Sequence, residues 1–196
     1  TLQYDALDRL VSSNSPDRGL ITNQYIPGAT WLSATNFANG QRITYSYDPL
    51  GRVLQKVVVG KQTTSYWYDE TAFANAIGRL TGVTVTPANS STPTSTNNFS
   101  YTRDGRVATN VIRIDNTPYT VISNYDPQGR LTGFTYPDGT TLTRSYNSQG
   151  LLAKLTLDGA DYATFQAYAP GGQPKVVSYG NATTTNLTYD SMTRLT

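Results

Sequence analysis

The sequence predicts an all-β chain, a meander of short antiparallel β-hairpins repeated about every 21 residues. Three observations carry this prediction. One turn motif recurs along the whole chain: YDPLGRV begins at Tyr47 and YDPQGRL at Tyr125, with drifted copies YDALDRL at Tyr4, YTRDGRV at Tyr101, YNSQGLL at Tyr146, YAPGGQP at Tyr168 and YDSMTRL at Tyr189. The composition favours pleated, half-buried surfaces, with 15 Tyr against 5 Phe and abundant Thr. No segment sustains a helical period of apolar residues.

The spacing is regular. With Tyr25 heading a degraded copy around Pro27-Gly28, and Tyr68-Asp69 heading another, the motif tyrosines fall at 4, 25, 47, 68, 101, 125, 146, 168 and 189. All but one interval lie between 21 and 24 residues. The exception, 33 residues from Tyr68 to Tyr101, contains a seven-residue insertion, Glu70 to Ala76, before Ile77-Gly78-Arg79-Leu80. It also contains the low-complexity stretch PANSSTPTSTNN at 87–98, expected to be a solvent-exposed loop. The whole of 1–196 is thus expected to be one array of about nine repeats, two strands to each, or about eighteen strands.

One unit shows the physics. In Asp126-Pro127-Gln128-Gly129 the Asp side chain can bond back to the backbone, Pro presets φ, and Gly accepts positive φ on exit, as a type I turn requires. Leu131 to Tyr136 then reads as a strand, Pro137-Asp138-Gly139 as a hairpin turn with a Gly bulge, and Thr141 to Tyr146 as the returning strand. Leu142, Arg144 and Tyr146 share one face. The tyrosine offers a large ring whose hydroxyl can stay wet or find a backbone partner. The arginine after the turn can lie along a neighbouring ring and bond to the turn carboxylate. Nine recurrences make these packing residues rather than a site. The apolar fraction of 37% is thin for two packed layers and suits a single sheet with much of its surface wet.

Chemistry is narrowly bounded. With no His and no Cys, this chain has no Ser-His-Asp or Cys-His mechanism, no thiolate metal site and no disulfide framework. No cofactor-binding or metal-ligating set emerges, no catalytic residue is assigned, and the chain is expected not to be an enzyme. The nearest carboxylate pairs, Asp158 with Asp161 and Asp69 with Glu70, are the ones a glycosidase-like mechanism would use, but they sit in a turn and an insertion where acids are simply solvated. A formal charge of +2 without a basic run argues against nucleic acid, and no stretch approaches the roughly 20 apolar residues of a membrane helix. Glycosylation acceptor patterns at Asn89, Asn98, Asn181 and Asn186 are what a Thr/Ser/Asn-rich chain gives by chance.

The motif and its period together resemble the YD-repeat, or RHS-repeat, family over essentially the whole chain. The resemblance implies a curved sheet that forms part of a hollow spiral shell. It further implies a secreted or cell-surface bacterial protein whose shell encloses a C-terminal toxin or effector polypeptide. Expected partners are neighbouring YD repeats of the same longer chain, the encapsulated toxin polypeptide, and other toxin-complex or secretion-system subunits. No match exists here to the distinctive core region in which acidic residues of that family cut the chain. An alternative is a cell-surface adhesion or carbohydrate-binding module, for which Trp31 and Trp67 are the residues that stacking on sugar would use. The chain, opening on Thr1, is expected to be cut from something longer and flanked by further repeats.

Overall fold

The computed structural model describes all 196 residues and contains seventeen β-strands and no helix. They fall into two compact units. The first contains β1 (Leu2–Tyr4), β2 (Leu10–Ser15), β3 (Gly19–Tyr25), β4 (Leu32–Asn36), β5 (Arg42–Tyr47), β6 (Val53–Val58), β7 (Gln62–Tyr68), β8 (Leu80–Pro87) and β9 (Ser95–Tyr101). β10 (Val107–Ile114) and β11 (Thr117–Tyr125) contribute residues to both units. The second continues through β12 (Leu131–Thr135), β13 (Thr141–Tyr146), β14 (Leu152–Leu157), β15 (Ala160–Tyr168), β16 (Pro174–Tyr179) and β17 (Thr184–Asn186).

Within each unit every strand pairs antiparallel with the next in sequence, from β1 to β9 and from β11 to β17. The count is seventeen rather than eighteen because the first repeat contributes only its arriving strand, β1. At the far end, the strand leaving Arg194 is reduced to a single bridge, Tyr189 to Leu195.

Two kinds of turn alternate along each meander. At the motif turn, Gly51 N–H donates to the Asp48 carbonyl (3.0 Å) and Asp48 N–H to the Arg52 carbonyl (2.9 Å). The same pair of bonds closes Asp126 to Arg130, with Gly51 and Gly129 at φ of +80° and +77°. The ladder shifts register immediately before the motif tyrosine, as between Ser46 and Tyr47 or Ser145 and Tyr146. The departing strand carries the extra residue there, a bulge that re-aims the tyrosine. At the mid-repeat turn Gly139 N–H donates to the Tyr136 carbonyl and Tyr136 N–H to the Thr140 carbonyl, the predicted turn with a Gly bulge. Gly180-Asn181 works differently. Ala182 takes the left-handed position (φ +65°), while Gly180 lets the backbone approach Asp161, whose carbonyl would lie 2.0 Å from an added Cβ.

Alternation along the strands gives each unit two unlike faces. On the face of the motif tyrosines, cross-strand pairs run Thr35–Ile43–Val58 and Tyr66–Val83 in the first unit. In the second they run Phe134–Leu142–Leu157 and Phe165–Val177. The opposite face is a ladder of short polar side chains, Ser46–Gln55–Ser65–Thr84–Thr96 and Gly133–Thr143–Thr156. Its partners bond one another, as in Thr156 to Thr143 (2.8 Å) and Asn36 to Thr22 (3.1 Å). No second layer covers either face. Only five apolar residues are fully buried, Ala34, Ala76, Ala163, Ala169 and Val177. The other apolar residues are half-buried or exposed.

The two irregular segments behave oppositely. The insertion is held down: the Ala74 carbonyl accepts Tyr101 N–H (3.0 Å), Asn75 donates to the Tyr101 carbonyl (2.8 Å), Glu70 accepts the hydroxyl of the fully buried Thr81 (2.7 Å), and Ala76 is buried. In the stretch expected to be a loop over 87–98, the loop proper spans only 88–94. Ser95, Thr96, Asn97 and Asn98 are paired strand in β9, opposite Val85, Thr84, Val83 and Gly82. Composition signalled a loop, but a ladder is made by backbone groups, and Ser, Thr and Asn fit the small polar face.

Limited proteolysis checks this difference. Brief subtilisin digestion is expected to cut first within 89–93, where every residue is exposed and bonded only locally, leaving the nicked chain folded on a native gel. First cleavage within the insertion would contradict the docking described for it.

Candidate functional site: the clamp between successive turns

What recurs at every repeat is a clamp joining one motif turn to the next. Its first part is a tyrosine bond. The hydroxyl of each motif tyrosine after Tyr4 donates to the backbone carbonyl of the residue that opens the preceding strand pair: Tyr25 to Leu10 (2.9 Å), Tyr47 to Leu32 (2.8 Å), Tyr68 to Val53 (3.1 Å) and Tyr101 to Leu80 (2.6 Å) in the first unit. In the second, Tyr125 donates to Val107 (3.0 Å), Tyr146 to Leu131 (2.7 Å), Tyr168 to Leu152, and Tyr189 to Pro174 (3.1 Å). These bonds satisfy carbonyls next to the bulge, where the ladder is interrupted.

The second part is the arginine after the turn. Arg9, Arg52 and Arg130 each donate Nε to the turn aspartate behind them, at 2.6–2.7 Å. Each also lays its guanidinium over the next motif tyrosine: Arg9 over Tyr25 (4.6 Å), Arg52 over Tyr68 (4.4 Å) and Arg130 over Tyr146 (4.5 Å). The aspartate is fixed in turn, since Asp48 Oδ1 accepts the N–H groups of Leu50 and Arg52. Arg52 reaches further, bonding Asp69 of the following turn at 2.7 Å.

The third part is the turn glycine, which lets the preceding repeat's side chain sit against it. An added Cβ on Gly51 would lie 2.6 Å from the Trp31 ring, on Gly105 2.7 Å from Arg79, and on Gly172 3.1 Å from Leu151.

Trp31 is placed by this geometry. The Tyr25 repeat has one residue more before its register resumes at Leu32, so Trp31, not Thr30, occupies the arginine position. Ile26 N–H bonds the Trp31 carbonyl as Asp48 bonds Arg52. The indole ring lies 5.5 Å from that of Tyr47. The tryptophan considered for sugar stacking thus fills a clamp. Trp67 lies on the polar face, half exposed at 50%, against Gly82 of the neighbouring strand.

The carboxylate pairs are taken up separately. Asp158 accepts Thr141 N–H (2.7 Å), Asp161 pairs with Lys154 (2.6 Å), Asp69 holds Arg52 and Gly78 N–H, and Glu70 holds Thr81.

Clamp electrostatics set a pH window. Desolvation raises the Asp48 carboxyl, but the side-chain and backbone hydrogen bonds from Arg52 outweigh it, so the group titrates below its ordinary 3.8. Asp5 and Asp126 are lowered in the same way against desolvation, by Arg9 and Arg130. Desolvation raises the phenols of Tyr47, Tyr68, Tyr101 and Tyr168 above their ordinary 10.0. The lowered carboxylates contribute stability that is complete above pH 3.8 and lost as pH falls through their folded values. The raised phenols contribute stability that is complete below pH 10 and lost as pH rises through theirs, because a phenolate has no proton to donate. A plateau of thermal stability between these limits is expected. Absorbance titration of the phenols should show a fraction ionising above pH 10 together with unfolding; a single titration at pH 10 in the folded chain would contradict the tyrosine ladder.

Comparison with known proteins agrees with this architecture. Residues 125–161 match the family model described as RHS Repeat. No curated protein sequence matches the chain. Among solved structures, it is similar over 99% of its length to the crystal structure of TcdB2-TccC3-Cdc42 (TM-score 0.65, 19% identity) and to that of TcdB2-TccC3 without its hypervariable C-terminal region (0.65, 19%). It is likewise similar to a Photorhabdus luminescens Tc holotoxin pore (0.64, 19%). At that identity the likeness is one of fold, and the chain spans 12% of the length of these solved chains. Residues 125–161 carry the match to the RHS-repeat model, and the same turn and tyrosine bond recur on both sides of that segment.

Proposed function

We propose that this chain is wall: one continuous array of about nine repeats over 1–196, part of a secreted bacterial RHS shell that encloses and shields a C-terminal toxin or effector polypeptide, and does no chemistry itself. The observation that carries this reading is the clamp. Tyrosine, aspartate, arginine and glycine of the motif are spent on holding each turn to the next, and the nearest carboxylate pairs are each held by separate partners. Such a device extends a single-layered sheet indefinitely, which suits a barrier and not a catalyst. Similarity in fold to TcdB2-TccC3 structures, one of them described as lacking a hypervariable C-terminal region, supports a shell with a separable cargo.

The test is native purification of the full-length parent followed by intact mass and a denaturing gel. A separate C-terminal fragment of about 10–40 kDa, the size of one or two ordinary domains, should stay with the shell and resist added protease until the shell is unfolded. A single uncleaved chain retaining no fragment would overturn encapsulation in favour of a cell-surface role, in which exposed Trp67 becomes the residue to examine.

A further inference from the structure

The two faces of the sheet differ in what they leave unsatisfied. In the first unit the tyrosine-bearing face includes the row Tyr45–Lys56–Thr64–Val85, and in the second the row Arg144–Leu155–Ala163–Tyr179. The charged residues of these rows are cations, and neither row contains a carboxylate. Arg144 rests over the Phe134 ring (5.6 Å), and its Nε is buried with no hydrogen-bond partner. The Asn97 Oδ1, on the same face of the first unit beside Val83, is likewise a buried acceptor without a donor. The polar face has the opposite character: its long side chains are satisfied, Lys154 by Asp161 (2.6 Å) and Arg42 by Asn36 (2.9 Å) and Gln24 (3.1 Å).

Half-exposed apolar side chains such as Leu157 and Tyr179, beside rows whose charged residues are the cations Lys56 and Arg144, call for a partner with matching features. Such a partner offers apolar side chains and carboxylates along its length. We propose that the tyrosine-bearing face is the one that contacts cargo, and that it takes an extended polypeptide rich in apolar and acidic side chains. The polar face then turns to solvent. This deepens the encapsulation reading by naming the contacting face, and rests on that reading for its biological setting.

The test uses the 196-residue chain and reduced, carboxymethylated α-lactalbumin, a permanently unfolded acidic polypeptide, as probe. A photoreactive p-benzoylphenylalanine is placed singly on the tyrosine-bearing face at Leu157 or Tyr179, exposed to 38% and 39%, and on the polar face at Ile122 or Trp67, exposed to 42% and 50%. Crosslinks should form from the first pair and be several-fold weaker from the second, although accessibility alone favours the second. Lys56→Gln and Arg144→Gln should each weaken binding of the acidic probe by roughly two- to five-fold, the range of a solvent-accessible ion pair, and leave binding of polylysine unweakened. Lys56→Gln removes a side chain without an ion-pair partner, so it tests the charge even if Arg144→Gln lowers the melting temperature. Equal crosslinking from both faces, a preference for the polar face, or unchanged affinity in both variants would overturn the assignment. A parent protein that retains no cargo would defeat encapsulation instead, while leaving the facial preference for the probe in place.

Discussion

Replacing Gly51 with alanine is expected to destabilise the chain by about 2–4 kcal/mol, against about 1–2 kcal/mol for the same change at Gly139. Both glycines have positive φ, +80° and +88°, so both changes impose the left-handed conformation on a residue with a Cβ. Their surroundings separate them. Nothing lies within 4 Å of an added Cβ at Gly139, whereas at Gly51 that carbon would meet the Trp31 ring at 2.6 Å. The ring has little freedom to yield, because its other side lies against Tyr47, whose hydroxyl is tied to the Leu32 carbonyl. Urea unfolding of the two variants gives the comparison directly. The excess cost at Gly51 should vanish in a Trp31→Ala background, where the double-mutant cycle isolates the contact. Equal costs at the two glycines would mean that the turn tolerates the crowding and that glycine is required there by φ alone.

The fold could be read from the sequence because its repeat is one of local chemistry. Asp-Pro-Gln-Gly specifies a turn wherever it occurs, and Leu142, Arg144 and Tyr146 alternate as a strand must, so turn positions and faces follow without knowing the neighbours. The clamp was legible only in part. That Arg130 should meet a carboxylate and a ring is implied by its position after the turn; that the Tyr146 hydroxyl should find the Leu131 carbonyl is not, because this depends on ladder register and on a bulge placed between Ser145 and Tyr146. The place of Trp31 in the repeat was hidden for the same reason. One additional residue in the Tyr25 repeat moves it into the arginine position, a shift visible only when Tyr25 is seen to pair with Leu32. The stretch at 87–98 shows the converse limit, where composition suggested a loop and backbone pairing made strand of Ser95 to Asn98.

Drift in the motif shows which parts of the clamp can be exchanged. At Tyr146 the aspartate is replaced by Asn147, whose Oδ1 still accepts Gln149 N–H (3.0 Å) and Leu151 N–H (2.9 Å), so the turn survives without its charge. At Tyr101 the hydroxyl of Thr102 accepts Arg106 N–H (3.0 Å) in the same role, while Arg106 pairs with Asp104 instead. At Tyr168 both charged positions are lost, to Ala169 and Gln173, yet the turn bonds from Gly172 to Ala169 and from Ala169 to Gln173 remain. The tyrosine bond is present in all three. The ion pair therefore adjusts a clamp whose constant parts are the turn backbone and the tyrosine.

Tyr146 is accordingly the residue whose loss should be felt most in the second unit. Tyr146→Phe removes one hydrogen bond and leaves the Leu131 carbonyl without its donor, for about 1 kcal/mol. Tyr146→Ala also removes the half-buried ring under Arg130 and should cost about 2–4 kcal/mol, somewhat less than truncation of a fully buried aromatic. Tyr162→Ala, at a tyrosine outside the motif and 56% exposed, should fall within about 1 kcal/mol of the parent. Because each repeat contacts only its neighbours, the damage should also be local. Hydrogen exchange in Tyr146→Ala should accelerate most in β12, β13 and β14, the strands the ring spans, and least in β16 and β17. Uniform acceleration throughout the second unit would mean that it unfolds as one cooperative body, and that the clamps set its total stability without dividing it into separable repeats.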